Sequence, residues 1–277
     1  DQSVRLRSPL RRDSARRTHS LPAALTVHKY TDGITHAVAS VAVDEDTCVA
    51  ASGQAMVWMD LVTGQLKRRF QGTHIARINH ISFGNDVILS ASYDATVCIW
   101  DCKSNSTVPF HRLKEAKDSV TWCELDDKLI RTTSVDGSLR TYDVRGGQLT
   151  EDKCPSPITG AASASDCVAV NCLDSSIRMI DKEIGGLVNE YSGSHRAGNY
   201  GLPCAITADD ASVVTGSEDG SVCCYDLVRG TPLQRLDMKT TKPVCTLDTH
   251  PLSSSLCVAA SFEGPGIVWG TNTDLVE

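Results

Sequence analysis

An all-β fold, a β-propeller of seven blades whose first blade is incomplete, is what this 277-residue sequence predicts. Two observations carry it. A hairpin pattern, clearest in Ser90–Cys102 (Ser-Ala-Ser-Tyr-Asp-Ala-Thr-Val-Cys-Ile-Trp-Asp-Cys), recurs along the chain. Its closing positions, Asp60, Asp101, Asp143, Asp181, Asp226 and Gly270, lie 41, 42, 38, 45 and 44 residues apart. That spacing matches the ~40–45-residue period of a four-stranded propeller blade. Two alternating apolar runs precede a copy, as in Ile78–Phe83 and Val87–Leu89, and a short run such as Leu66–Phe70 follows one. Period-2 alternation means strands with two faces, so each unit has four strands. A lone four-stranded sheet cannot bury both apolar faces, whereas stacking copies around an axis does.

In chain order, residues 1–30 read as the partial first blade. Asp1–Arg7 is its third strand, residues 8–22 a basic loop, and Ala23–Tyr30 its fourth strand. Residues 31–277 hold the remaining six blades of the same domain, with hairpins at Ser52–Leu61, Ser90–Cys102, Thr133–Val144, Asn171–Asp181, Gly216–Leu227 and Ala260–Gly270. The last is degraded, with Phe262-Glu263-Gly264 at its turn and Trp269-Gly270 at its close. Propellers usually close by lending an N-terminal strand to the last blade. No such strand is evident here, so the expectation is a fragment with an open seam between first and last blades.

Composition narrows the class. Mean hydropathy is −0.15, and no apolar run is long enough for a membrane helix. Residues 1–17 lack the apolar core of a secretory leader. They carry six arginines against Asp1 and Asp13, a net +4, which leaves −11 for the rest of a chain whose formal charge is −7. An acidic body disfavours a broad phosphate-binding surface. Among the twelve cysteines, Cys223 and Cys224 are adjacent in a strand and point to opposite faces. Nothing pairs one CxxC with another, so the thiols read as reduced, mostly buried residues of an intracellular protein, with no metal and no cofactor.

The recurring Ser, His and Asp invite a hydrolase reading, but the copies resemble WD repeats, in which a His before the first strand, a Ser or Thr of the second, the turn Asp and the Trp of the third form a buried hydrogen-bond network. His74, Ser90 or Ser92, Asp94 and Trp100 follow one order along their blade. In a later blade His195, Thr215 or Ser217, and Asp219 repeat it, with Tyr225 for the tryptophan. Buried polar groups must be paired, and such a network pins a hairpin. The turn aspartates Asp94, Asp136, Asp174 and Asp219 need no metal, because Asp-Gly, as in Asp136-Gly137 and Asp219-Gly220, is a hairpin turn in itself. No G-x-S-x-G, P-loop, dinucleotide fingerprint or HExxH occurs, and no catalytic residue is assigned.

What remains is surface. Arg77 and Tyr200, at or before first strands, and Tyr93 and Phe262, at turn tips, are the candidate protein-binding residues, since aromatics and arginine anchor interfaces. The arginine-rich loop reads as a solvated insertion. The alternative is RNA binding through it, although no aromatics are interleaved for base stacking. An enzyme using the propeller channel is a further alternative, for which no convergent carboxylates or metal trio stand out.

The repeats resemble the WD-repeat β-propeller family. Within it they are similar to the mitogen-activated protein kinase organisers, in Ile99–Ser104, Leu113–Val120, Ser134–Leu149, Leu173–Ser194 and Ser217–Gly230. The resemblance covers roughly residues 50–235 in order. It implies a seven-bladed, non-enzymatic scaffold whose partners are proteins, either kinase-cascade members or spliceosomal proteins of pre-mRNA splicing. It further implies a cytoplasmic and nuclear protein, a monomer within larger assemblies, with no direct nucleic-acid or membrane binding. The sequence departs from that family in its basic 8–22 insertion, its missing half-blade and its degraded last repeat.

Overall fold

The computed structural model describes residues 3–8, 18–20, 25–44, 46–72, 74–263 and 266–270. The chain is all-β and divides into two compact units. One comprises Asp1–Leu6 with Val27–Pro157, the other Arg7–Thr26 with Ile158–Glu277.

β1 (Val4–Ser8), of which Val4–Leu6 belong to the first unit, pairs with β3 (Leu25–Tyr30), of which Val27–Tyr30 do, as a two-stranded sheet. Three antiparallel four-stranded blades follow in simple up-and-down order. They are β4 (Val38–Asp44), β5 (Thr47–Ser52), β6 (Ala55–Asp60) and β7 (Leu66–Phe70); β8 (Ile78–Gly84), β9 (Val87–Ser92), β10 (Val97–Asp101) and β11 (His111–Leu113); and β12 (Val120–Asp126), β13 (Leu129–Ser134), β14 (Ser138–Asp143) and β15 (Leu149–Lys153).

The second unit holds β16 (Ile158–Ser163), β17 (Cys167–Cys172), β18 (Ser176–Asp181) and β19 (Leu187–Ser192). Next come β20 (Cys204–Ile206), β21 (Ser212–Gly216), β22 (Ser221–Asp226) and β23 (Pro232–Asp237). The last blade contains β24 (Val244–Thr249), β25 (Cys257–Ser261) and β26 (Ile267–Trp269), and its fourth strand is β2 (Thr18–Ser20). Thr18, His19 and Ser20 pair antiparallel with Trp269, Val268 and Ile267.

This arrangement corrects three expectations. Among the described residues the propeller arrangement has six four-stranded blades, not seven: the two strands expected of the incomplete first blade do pair, β1 with β3, but as a two-stranded sheet that is not counted as a blade. The strand lent by the N-terminal region is present, and it comes from within the arginine-rich loop. That loop is therefore not wholly an insertion, although the six-arginine reading falls partly on residues 9–17, which lie outside the described residues. The physical reason is edge pairing. The N–H and C=O groups along β26 need a partner strand, and Thr18–Ser20 supplies one.

Second strands are buried nearly throughout, as in Cys48–Ala51, which are all at 0% exposure, whereas outer strands such as β23 are largely exposed. A strand covered on both faces reads as a continuous small or apolar run rather than an alternating one. Within the first unit, Phe70, Met56 and Val49 meet Trp100, Ile81 and Ile88 between neighbouring blades. In the second, Tyr191 and Met179 meet Tyr225 and Val213. Inner strands β4, β8, β12, β16 and β24 each carry a register shift after their first residue, as between Ile78 and His80. A bulge there adds twist and re-aims the preceding loop. None of the twelve cysteines is in a disulfide, and seven of them are buried. Burial pushes Cys48 up to about 11 and Cys123 up to about 12, so neither is a ready nucleophile.

Candidate functional site

In the blade of β8–β11, the Trp100 indole N–H donates to Ser90 Oγ at 2.9 Å, and Ser90 Oγ lies 2.9 Å from His74 Nε2. His74 Nδ1 lies 3.0 Å from Asp94 Oδ2. An indole only donates and a carboxylate only accepts, so the direction is fixed: Trp100 to Ser90, Ser90 to His74, His74 to Asp94. Burial pushes the imidazole below its ordinary value, although Asp94 pulls the other way, leaving the ring neutral at neutral pH. For Asp94, burial alone would raise the carboxyl. Hydrogen bonds from the Thr96 hydroxyl, His74 and the Ile75 N–H outweigh it and hold Asp94 ionised. Ser92 does a different job: its hydroxyl reaches the Ala76 and Arg77 carbonyls and accepts the Asp94 N–H. Every strong acceptor in the set is committed internally, which leaves no free base beside a nucleophile.

The later blade departs from this order. The Tyr225 hydroxyl lies 2.8 Å from His195 Nδ1 and accepts the N–H groups of Ser194 and His195. The longer phenol reaches the ring directly, so no serine relay intervenes. Asp219 is bound instead by the Ser221 hydroxyl and N–H, and by Arg235. Ser217 Oγ accepts the Arg196 N–H, and Thr215 Oγ1 donates to the Pro203 carbonyl. His195 Nε2 is buried without a hydrogen-bond partner among the described residues.

Asp136 and Asp174 have arginine where the first network has histidine. Arg140 Nη2 binds Asp136 Oδ2 at 2.8 Å and Glu151 Oε1 at 2.7 Å, while Nη1 donates to Ser134 Oγ. Burial would raise the Asp136 carboxyl, but Arg140, Ser134 and the Lys117 N–H hold it far below the usual carboxylate range. In the other unit Arg178 binds Asp174 at 2.8 Å and Glu190 at 3.5 Å. These triads escaped the sequence reading. Their signal is the run Asp136-Gly-Ser-Leu-Arg140 and its counterpart Asp174-Ser-Ser-Ile-Arg178, in which alternate residues share one face.

The four candidate surface residues fall into two pairs. In the first unit the Arg77 guanidinium lies over the Tyr93 ring, 6.0 Å from its centroid. In the second, the Tyr200 and Phe262 rings lie 5.9 Å apart, tilted by 53°. Tyr93, Tyr200 and Phe262 stay 61%, 48% and 62% exposed. The Glu218 carboxylate holds the loop below Tyr200 by accepting the N–H groups of Gly198, Asn199 and Tyr200. Among the described residues, no cluster of three His, Cys, Asp or Glu could hold a metal ion, and no helix is long and apolar enough to cross a membrane.

Residues 64–101, which span the Trp100 network's hairpin, match the family model "WD domain, G-beta repeat". The chain is similar to WD repeat domain-containing protein 83 of Rattus norvegicus, 38% identical over 160 residues, covering 57% of this chain and 50% of that one. The Homo sapiens protein of that name is 37% identical, over 54% and 48% of the two chains. The WD repeat domain-containing protein 83 homolog of Dictyostelium discoideum is 28% identical, over 76% and 74%. The matched region spans about half the length of the rat and human relatives. Among solved structures, the computationally designed Ika8 protein aligns with a TM-score of 0.69 at 20% identity, over 85% of this chain and 71% of that one, a likeness of fold. The family match over residues 64–101 and these relatives show that the chain is similar to WD-repeat proteins.

Proposed function

We propose that this chain is a non-enzymatic WD-repeat scaffold that assembles protein complexes, acting in a MAP kinase cascade or in the spliceosome during pre-mRNA splicing. One observation carries the scaffold reading. The polar side chains that resemble catalytic groups, His74, Asp94, Ser90 and Asp136, are spent on each other inside the blades, while the exposed features are rigidly seated aromatics and an arginine. Large aromatics and arginine held in place on a rigid sheet suit docking rather than bond-making. The kinase and splicing assignments, and a cytoplasmic and nuclear location, rest on the sequence resemblance alone.

Affinity purification of the tagged protein followed by mass spectrometry tests this. Enrichment of kinases supports the first role and enrichment of spliceosomal proteins the second. Recovery of neither overturns both.

A further inference from the structure

A cleft of about 520 Å³ opens in the first unit, with His36, Ser52, Gln54, Arg69, Gln71 and Arg77 on its walls. None of its lining residues is acidic. The two most buried arginines of this unit are matched by carboxylates: Arg131 by Asp126, and Arg140 by Asp136 and Glu151. The two cleft arginines are not. Among the described residues neither is in an ion pair. Arg69 Nε is buried with no hydrogen-bond partner among the described residues, and Arg77, whose guanidinium lies over the Tyr93 ring, gives only its Nε to a hydrogen bond, on Asn79 Oδ1 at 3.3 Å. Two guanidiniums unmatched by acid, in a chain of net charge −7, form a local excess of positive charge with unused donors.

The edge of the cleft is apolar and firmly held. Ile75 and Tyr93 are 83% and 61% exposed. The Ile75 carbonyl accepts from Gln54 Nε2 at 2.9 Å, and its N–H donates to Asp94 Oδ2. The Ser92 hydroxyl fixes the Arg77 carbonyl, and the Tyr93 N–H donates to that same carbonyl at 3.0 Å. The buried His74–Asp94 network thus fixes the backbone on which the edge is mounted, which lowers the entropy cost of binding there.

We propose that this cleft docks a short acidic segment of a protein partner, with a Glu or Asp carboxylate against Arg69 and Arg77 and an adjacent apolar side chain on Ile75 and Tyr93. The proposal rests on the scaffold reading above and adds the partner's chemistry. An extended polyanion such as RNA is disfavoured, because the body surrounding the cleft is acidic and repels a long run of phosphates. A single carboxylate beside an apolar residue meets the two arginines without that cost.

Selection from a phage-displayed library of random peptides on the full chain tests it. The expected pool is enriched in Asp or Glu next to a large apolar residue, and synthetic peptides from it bind at least about tenfold more weakly to Arg77→Glu and to Arg69→Gln/Arg77→Gln. Arg77→Gln alone, at an exposed position, carries the test if the double variant does not fold. A pool without acidic bias, or equal binding by the folded variants, overturns the proposal. So does a phosphoserine-for-glutamate peptide that binds more than about tenfold tighter, which would make the cleft a phosphate reader. Co-purification separates this from the scaffold reading. An unchanged partner set for Arg77→Glu overturns the cleft and leaves the scaffold standing. A wild-type chain that recovers no partner removes the scaffold, while the peptide selection still judges the cleft.

Discussion

His74 and Asp94 are joined Nδ1 to Oδ2 at 3.0 Å, with side-chain exposures of only 1% and 2%. Asp94 also receives the Thr96 hydroxyl and N–H and the Ile75 N–H. Removing the carboxylate therefore orphans several donors at once. Asp94→Ala is expected to cost about 1–3 kcal/mol or more, read as a lower urea midpoint with unchanged slope. Binding lost with stability intact would show that Asp94 is a contact rather than a brace.

Acid should destabilise the fold through histidines whose rings resist protonation. Burial pushes His80 down to about 4, its ring lying beside Trp122 and accepting weakly from the Cys123 N–H. An unfolded histidine titrates near 6.5. Between roughly pH 6.5 and 4 the unfolded chain thus binds a proton that the folded ring refuses, and stability falls as pH falls. For this half-buried ring, partly screened by water, the loss is about 1–3 kcal/mol. His74 adds a loss in the same direction. Asp94, also depressed, contributes in full above about pH 4 and loses its contribution as pH falls through its folded value. Denaturation of His80→Gln across this range should show a shallower pH slope than wild type; an identical slope assigns the effect elsewhere.

Arg140 binds Asp136, Glu151 and Ser134 through two separate nitrogens, a fork that an ammonium cannot reproduce. Arg140→Lys is expected to cost about 1–2 kcal/mol, and Arg140→Ala about 3–5 kcal/mol, because the alanine strands a buried carboxylate. Thermal unfolding of the two variants, ranked against wild type, checks the order.

The hairpin turns give opposite expectations at equivalent positions. Gly220 has φ +82°, and a Cβ there would sit 2.0 Å from the Thr240 carbonyl oxygen, so Gly220→Ala should cost about 2 kcal/mol or more. Ala95, after Asp94, is already left-handed at φ 61°. Ala95→Gly relieves that strain and should stabilise by about 0.5–1 kcal/mol. Melting temperatures moving in opposite directions support this reading of the turns.

β2 makes a further prediction. Deleting Thr18–Ser20 should expose the edge of β26 and speed amide hydrogen exchange in Ile267–Trp269, while the blade of β8–β11 keeps its protection. Equal exchange in both proteins would mean that β2 adds nothing. It follows that RNA binding through this region should be tested with arginine substitutions, since deleting residues 8–22 would also remove a strand of the last blade.

The blades were legible because each hairpin carries its own information. Val97 and Ile99 alternate with Thr96 and Cys98 around an Asp turn, and that pattern recurs at blade spacing. The set Trp100, Ser90 or Ser92, His74 and Asp94 was readable through the WD-repeat resemblance, while the choice of Ser90 over Ser92 needed the structure. The arginine triads were harder to see, because Glu151 and Glu190 come from outer strands that look like ordinary solvated edges.

By itself the sequence determined the all-β repeat and the hairpins within it, since these follow from local alternation and turn chemistry. Only the tertiary structure decided where β2 goes, which acid each arginine meets, and that Arg69 and Arg77 share a cleft without one. Three residues such as Thr18–Ser20 carry too little pattern to announce a strand, and a charged side chain does not reveal its partner. Both are settled by which unpaired backbone edges and buried charges the folded blades bring within reach.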